Sequence, residues 1–167
     1  VVFISMGNAV SIIVGQLLGA GKMEEAKDTD RKLIAFSVAC CFVIGALLAV
    51  VSPLFPQMYN TTEEVRSLAA RFILISAVLM PVQAFTQACY FTMRSGGKTF
   101  ITFLFDSVFL WVVSIPLAFV LSRYTSLPII PLYLACQLVD IIKCVIGFVM
   151  VKKGVWIHNF VEDERSV

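Results

Sequence analysis

Charge is scarce in this sequence. Asp, Glu, Lys and Arg supply 14% of the 167 residues, against about 25% in soluble domains. The set AVILMFWYC supplies 59%, where about 45–50% apolar residues is usual. A soluble domain of this size would need more polar surface than that. Histidine is nearly missing: His158 is the sole one, so neither a His-based acid–base site nor a histidine metal cluster can be built within the apolar runs. The five cysteines, Cys40, Cys41, Cys89, Cys136 and Cys144, form no CxxC pair, which speaks against a disulfide scaffold and a zinc ribbon alike. There is no internal repeat and no low-complexity tract. No initiator Met and no charged n-region precede the first apolar stretch, so it does not read as a signal peptide, and the expectation is a chain cut from a longer one.

What is present is a set of long runs with few or no charges. The hydrocarbon core of a bilayer is ~30 Å thick and needs about 20 helical residues to cross, and five runs qualify. They predict helices over about 1–21, 33–57, 64–93, 99–122 and 128–151, followed by a tail over 152–167. Barrel strands are excluded, because the runs far exceed about 10 residues and do not alternate apolar with polar positions. The fold class is therefore all-α, a polytopic membrane bundle of five transmembrane helices with the lipid bilayer as its surroundings.

Local signals punctuate the runs. Pro53 and Pro56 close the second helix. Thr61 with Glu64 reads as a capping box for a third helix starting near Thr62, and Ser126 before Pro128 marks the start of the fifth. Pro81 and Pro116 stand inside the third and fourth runs, where the missing backbone donor predicts helix kinks. Basic residues set an orientation. Lys22, Lys27, Arg31, Lys32, Arg94, Lys98, Lys152, Lys153 and Arg165 fall on one side, and Arg66, Arg71 and Arg123 on the other. The C-terminus and the loops near Gly21 and Arg94 are accordingly expected in the cytoplasm. The net charge of +2 and these small clusters give no reason to expect a nucleic-acid partner.

Catalytic signatures fail on inspection. Gly15–Lys22 (GQLLGAGK) resembles a phosphate loop, but Gln16 stands where the first glycine belongs and Met23 follows the lysine. No cofactor is expected, no metal site is expected, and an enzyme is not. Asn60, Thr61 and Thr62 form a glycosylation sequon on the outer side, a pattern common by chance. His158, beside Trp156, fits an interfacial anchor.

The polar groups inside the spans carry more information. A charge at the centre of a membrane helix costs about 2.5–3.5 kcal/mol on insertion scales, so it is expected to face protein or water and to have a partner. Asp106 lies about 9 Å into the fourth helix. Asp140 and Lys143 share a face of the fifth, close enough to pair, while Lys143 is also deep enough to reach Asp106. Two readings stand: an ion pair that fixes packing, or a carboxylate that exchanges a proton or sodium. On the third helix Gln83, Gln87, Tyr90 and Arg94, with Ser76 further back, form a stripe that fits either a cavity lining or interhelical bonds. In the first helix Gly7, Ser11, Gly15 and Gly19 predict a small-residue packing seam, with Asn8 and Gln16 as cavity candidates on another side.

Taken in order, GNAVSIIVGQLLGAGKMEEAK, YFTMRSGGKT, DSVFLWVVSIPLA and KKGVWI resemble the C-terminal lobe of multidrug and toxic compound extrusion (MATE) transporters along essentially the whole chain. The resemblance implies that residues 1–167 are part of one six-helix lobe, supplying helices eight to twelve of a twelve-helix, two-lobe transporter whose N-terminal lobe and seventh helix are absent. It implies an antiporter exporting small amphipathic, often cationic compounds by alternating access, with H+ or Na+ as coupling ion. Some sodium-type members place an acid in the tenth helix; here that helix has Gln83 and Gln87 instead, so Asp106 and Asp140 are candidates by position alone. Two alternatives remain: a lipid-linked oligosaccharide or polysaccharide flippase of the same superfamily, and a non-transporting membrane scaffold subunit.

Overall fold

A computed structural model describes residues 2–60, 62–97, 99–125, 128–154 and 156. In hydrocarbon each backbone N–H and C=O must be satisfied within its own segment, and the apolar runs do so as helices: α1 (Val2–Gly19), α2 (Met23–Val51), α3 (Glu63–Ser95), α4, and α5 (Ile129–Lys152). Helix α4 is composite. It opens as Thr99–Phe103, widens into π turns over Leu104–Val108 and Leu110–Ser114, and closes as Ile115–Tyr124. All five are long and apolar enough to cross a membrane, and among the described residues there is no strand. The chain is a multi-pass membrane helix bundle.

Helix α2 begins at Met23, ten residues before the start read from hydropathy, and ends at Val51. The early start has an electrostatic cause. Lys22–Glu25, Lys27–Glu24 and Lys32–Asp28 are ion pairs at 2.9, 2.6 and 2.6 Å with helical spacing, which favours helix in a segment that hydropathy sees only as charged. Glu24 and Glu25 in the first turn also suit the N-terminal dipole. The preceding turn is tight. Gly21 takes φ 74°, and Lys22 N–H and Gly21 N–H donate to the carbonyls of Leu17 and Leu18, both at 3.0 Å, a Schellman closure that favours glycine at this position. After Val51, Pro53 and Pro56 leave room only for a short 3-10 turn, Phe55–Met58. Thr62 is the N-cap of α3 without a side-chain capping bond; Thr61, Ser126, His158 and the rest of the tail from 157 lie outside the described residues.

Helix α3 is the hub and touches all four other helices. It buries Ala77, Ala84, Ala88 and Cys89, small residues that let neighbours approach, together with Phe91, Thr92 and Met93 towards its C-terminal end. The core gathers Val10, Val14 and Leu18 of α1, Ala26 of α2, Met93 of α3, Phe105 of α4 and Trp156. Trp156 is 2% exposed and its indole N–H donates to the Val151 carbonyl at 3.3 Å.

The expected glycine seam of α1 is corrected by this packing. The buried face is Gly7, Val10, Val14 and Leu18. A Cβ at Gly7 would fall 2.0 Å from the Phe91 ring, whereas Gly15 and Gly19 have nothing within 4 Å. Four-residue steps drift about 40° each around a 3.6-residue helix, so a seam that begins in contact at Gly7 has left the contact face by Gly19.

Gly45 of α2 marks a close backbone approach to the hub, since a Cβ there would lie 2.6 Å from the Ala77 carbonyl oxygen. Gly45→Ala should cost about 1–3 kcal/mol by overpacking, while Gly15→Ala should hold or raise stability by improving helix propensity. Thermal melting of the full-length protein in detergent checks this; equal shifts for the two would contradict the α2–α3 packing.

Candidate functional site

The polar stripe of α3 meets α5 in a regular way. Ser76 Oγ and the Tyr133 hydroxyl lie 2.9 Å apart, and Gln83 Nε2 donates to Asp140 Oδ2 at 2.6 Å. Both pairs join residues 57 apart in sequence, and within each helix the partners are seven residues apart. That is the signature of two parallel helices in fixed register with a two-turn repeat. Gln137 Nε2 adds a bond to the Tyr133 hydroxyl at 3.1 Å, and Phe72 packs edge-on against the Tyr133 ring at 4.9 Å. Asp140 is thus bound to a neutral amide on the neighbouring helix.

Lys143, one turn further along α5, turns to α4. Its ammonium pairs with Asp106 Oδ1 at 2.5 Å and stands 5.2 Å from the centre of the Phe105 ring. Its side chain is 15% exposed and that of Asp106 is 51% exposed. The sequence left Lys143 a choice between Asp140 and Asp106, and the structure places it on Asp106. The acid belongs to the first π turn, Leu104–Val108, a widened geometry often found at functional positions in membrane and soluble helices. Pro116 stands in the first turn of the closing segment, Ile115–Tyr124, just beyond the second π turn. Helix α3 continues unbroken through Pro81.

The other candidates are not drawn into this cluster. Asn8 and Gln16 are exposed and lie off the buried stripe of α1. Gln87 is half-buried. Tyr90 packs against the core and makes an edge-to-face contact with Phe91 at 5.3 Å. Among the described residues no cluster of three or more His, Cys, Asp or Glu stands ready for a metal ion.

One buried acid escaped the sequence reading. Asp30, counted within a loop by hydropathy, is 1% exposed. Thr92 Oγ1 lies 2.6 Å from its Oδ1 and 3.0 Å from the Ala88 carbonyl, and Oδ2 is buried without a hydrogen-bond partner. The threonine has one proton to give: it donates to the carboxylate, or to Ala88 while accepting from a protonated Asp30. The signal was there in the spacing. Ala26, Asp30, Ile34, Ser37, Cys41 and Gly45 recur every three or four residues as the buried face of α2, visible once the helix is extended back through its Glu–Lys pairs.

Comparison with known proteins places these features in a family context. The MatE family model matches residues 1–120. The chain is 30% identical over 127 residues to the probable multidrug resistance protein YoeA of Bacillus subtilis, covering 76% of this chain and 27% of that protein. It is 26% identical over 141 residues to multidrug and toxin extrusion protein 1 of Xenopus tropicalis, covering 83% and 25%. It is 23% identical over 124 residues to the probable multidrug resistance protein NorM of Oceanobacillus iheyensis, covering 74% and 28%. The chain therefore spans about a quarter of the length of these curated relatives. No solved structure gives a significant match.

The Asp30–Thr92 contact ties α2 to the hub and yields a direct test. Thr92→Val keeps the shape but removes the hydroxyl, and should cost about 1–3 kcal/mol, the range for leaving a buried polar partner unsatisfied. Thr92→Ser should retain most of that. Chemical denaturation of the full-length protein in detergent measures both, and equal losses would mean that the hydroxyl contributes nothing.

Proposed function

Because the chain belongs to the MatE family, the multidrug and toxic compound extrusion transporters, we propose that it forms part of a secondary active antiporter exporting amphipathic, often cationic drugs or toxic compounds in exchange for protons or sodium. The observation that carries this reading is the MatE match over residues 1–120, joined to two carboxylates, Asp106 and Asp140, held by partners on neighbouring membrane helices. In this reading the chain supplies helices eight to twelve of twelve, and a second lobe elsewhere in the full-length protein completes the cavity. The lobes rock against each other around the substrate. Among the described residues Lys22, Lys27, Arg31, Lys32, Arg94, Lys152 and Lys153 fall towards the end that holds the α1–α2 turn and the end of α5, which supports a cytoplasmic C-terminus.

The two acids are suited to different tasks. Protonating Asp106 would strand the Lys143 ammonium without its counter-charge, a costly state inside a membrane. Asp140 can gain or lose a proton or bind a sodium ion without leaving a cation behind, because its partner Gln83 is neutral and its amide can turn to offer donor or acceptor. Asp140 is therefore the better coupling candidate in this chain, and Asp106 the better structural one. The coupling ion is H+ or Na+; the same carboxylate chemistry serves either. A lipid-linked oligosaccharide or polysaccharide flippase would instead need free cations deep within the spans to hold phosphate, and Lys143, the cation the sequence places there, is committed to Asp106.

The test is ethidium efflux by the full-length protein in inverted vesicles energised by a proton or a sodium gradient. Asp140→Asn should slow efflux about tenfold or more, which corresponds to about 1.4 kcal/mol in the barrier, while Asp106→Asn should keep transport and lower the melting temperature. Wild-type efflux in both variants would return the acids to packing. No efflux of any cationic substrate by the unaltered protein would favour the flippase.

A further inference from the structure

Between α2 and α5, over Phe85 of α3, runs an apolar groove of about 1000 Å³. Its α2 wall carries Arg31, Ala35, Ala39 and Phe42, and its α5 wall Phe148 and Lys152. Small alanines hollow the wall of α2, and Phe85 and Phe148, with ring centres 6.3 Å apart, line the other side. From Arg31 to the groove's last α2 residue, Val43, the helix rises about 18 Å. That is close to one leaflet of a hydrocarbon core ~30 Å thick.

One end of the groove is apolar and the other is cationic. Arg31 and Lys152 line both the groove and an adjoining polar pocket of about 380 Å³, which Lys27 and Lys153 also line. Lys27 is paired with Glu24 at 2.6 Å. Among the described residues Arg31, Lys152 and Lys153 have no ion-pair partner, and the Lys152 ammonium rests 5.9 Å from the centre of the Phe148 ring. Among the described residues Asp30 is the one carboxylate in the pocket wall; Arg31 acts on it electrostatically but forms no ion pair with it, since Oδ1 is held by Thr92 and Oδ2 is buried.

A one-leaflet apolar slot ending in unpaired cations at the membrane boundary matches an amphipath with an acyl chain and an anionic head. We propose that this groove binds an anionic phospholipid, its acyl chain along Ala35, Ala39 and Phe42 and its phosphodiester at Arg31 and Lys152. Basic pockets between membrane helices are suited to lipid phosphates, and guanidinium offers bidentate geometry to phosphate oxygens. The same cations repel a positively charged drug, so the groove is distinct from an export path for cationic compounds. The lipid site depends on the membrane bundle and not on antiport, so it stands or falls separately from the transport reading.

Native mass spectrometry of the delipidated full-length protein, with phosphatidylglycerol and phosphatidylcholine of identical chains, tests the proposal. Phosphatidylglycerol should bind about tenfold more tightly. The double variant Arg31→Gln, Lys152→Gln should bring it to the phosphatidylcholine level, and Ala39→Phe, which plugs the slot but spares the cations, should weaken both lipids. Melting temperatures within a few degrees of wild type confirm that the variants fold, and millimolar inorganic phosphate should leave the bound phosphatidylglycerol in place. Equal binding of the two lipids by the unaltered protein would mean an ordinary annular surface and overturn the proposal. Phosphatidylglycerol binding untouched by the double variant, or displaced by phosphate, would overturn it too. Absence of lipid binding, with Ala39→Phe strongly destabilising, would assign the groove to another helix of the same protein.

Discussion

The parallel contact of α3 and α5 is the constraint on which the rest of the bundle depends. Lipid tails are as apolar as leucine, so the hydrophobic effect does not select one helix pairing over another inside the membrane. Shape and hydrogen bonds must do it. Here the rungs Ser76–Tyr133 and Gln83–Asp140 repeat with the same offset, and below them Gly147 of α5 lies close enough to Cys89 of α3 that a Cβ would meet its side chain at 3.2 Å. Polar rungs and close packing thus prescribe the same register. A slip of one turn would leave Gln83, Tyr133 and Asp140 to find new partners in hydrocarbon, where an unpaired polar group costs several kcal/mol.

Once α3 and α5 are fixed, α4 has to answer to α5. It does so with consecutive side chains, since Lys143 is held both by the Asp106 carboxylate and by the face of the Phe105 ring. The π turns of α4 lie where this contact is made and just before Pro116, the residue that cannot donate to the ladder. A departure from regular helix is tolerable in a membrane only where neighbouring groups or local π geometry satisfy the backbone again. The widened turns, the proline and the ion pair therefore belong to one structural solution.

The architecture was legible in the sequence because bilayer thickness converts directly into run length. The same method misjudged the start of α2, since hydropathy discards charged residues even when Glu and Lys at helical spacing favour the helix. That one error hid Asp30, whose burial follows only from the helical register it shares with Ile34 and Cys41. The glycines of α1 mislead for the opposite reason: their spacing looks regular, yet among the described residues only Gly7 has a neighbour in close contact, because contact requires a partner and not only a period. The choice of Lys143 between two acids could not be made from spacing, since it turns on how α4 is wound opposite α5.

The extended α2 also joins two demands that look unrelated. Its first turns carry basic residues of the kind that set the orientation of a membrane protein, and because these turns are helical and not loop, the residues are held at fixed positions. Asp30 and Ala26 face inward and anchor this segment on α3 and the core, which leaves Lys27 and Arg31 to face the end of α5, where Lys152 and Lys153 lie. Orientation and the cationic mouth of the groove thus require the same sign of charge at the same end of the bundle. Changing Arg31 to satisfy one demand disturbs the other, and the buried Asp30 beside it limits how far that charge can be moved along the helix without exposing the carboxylate that holds the helix in place.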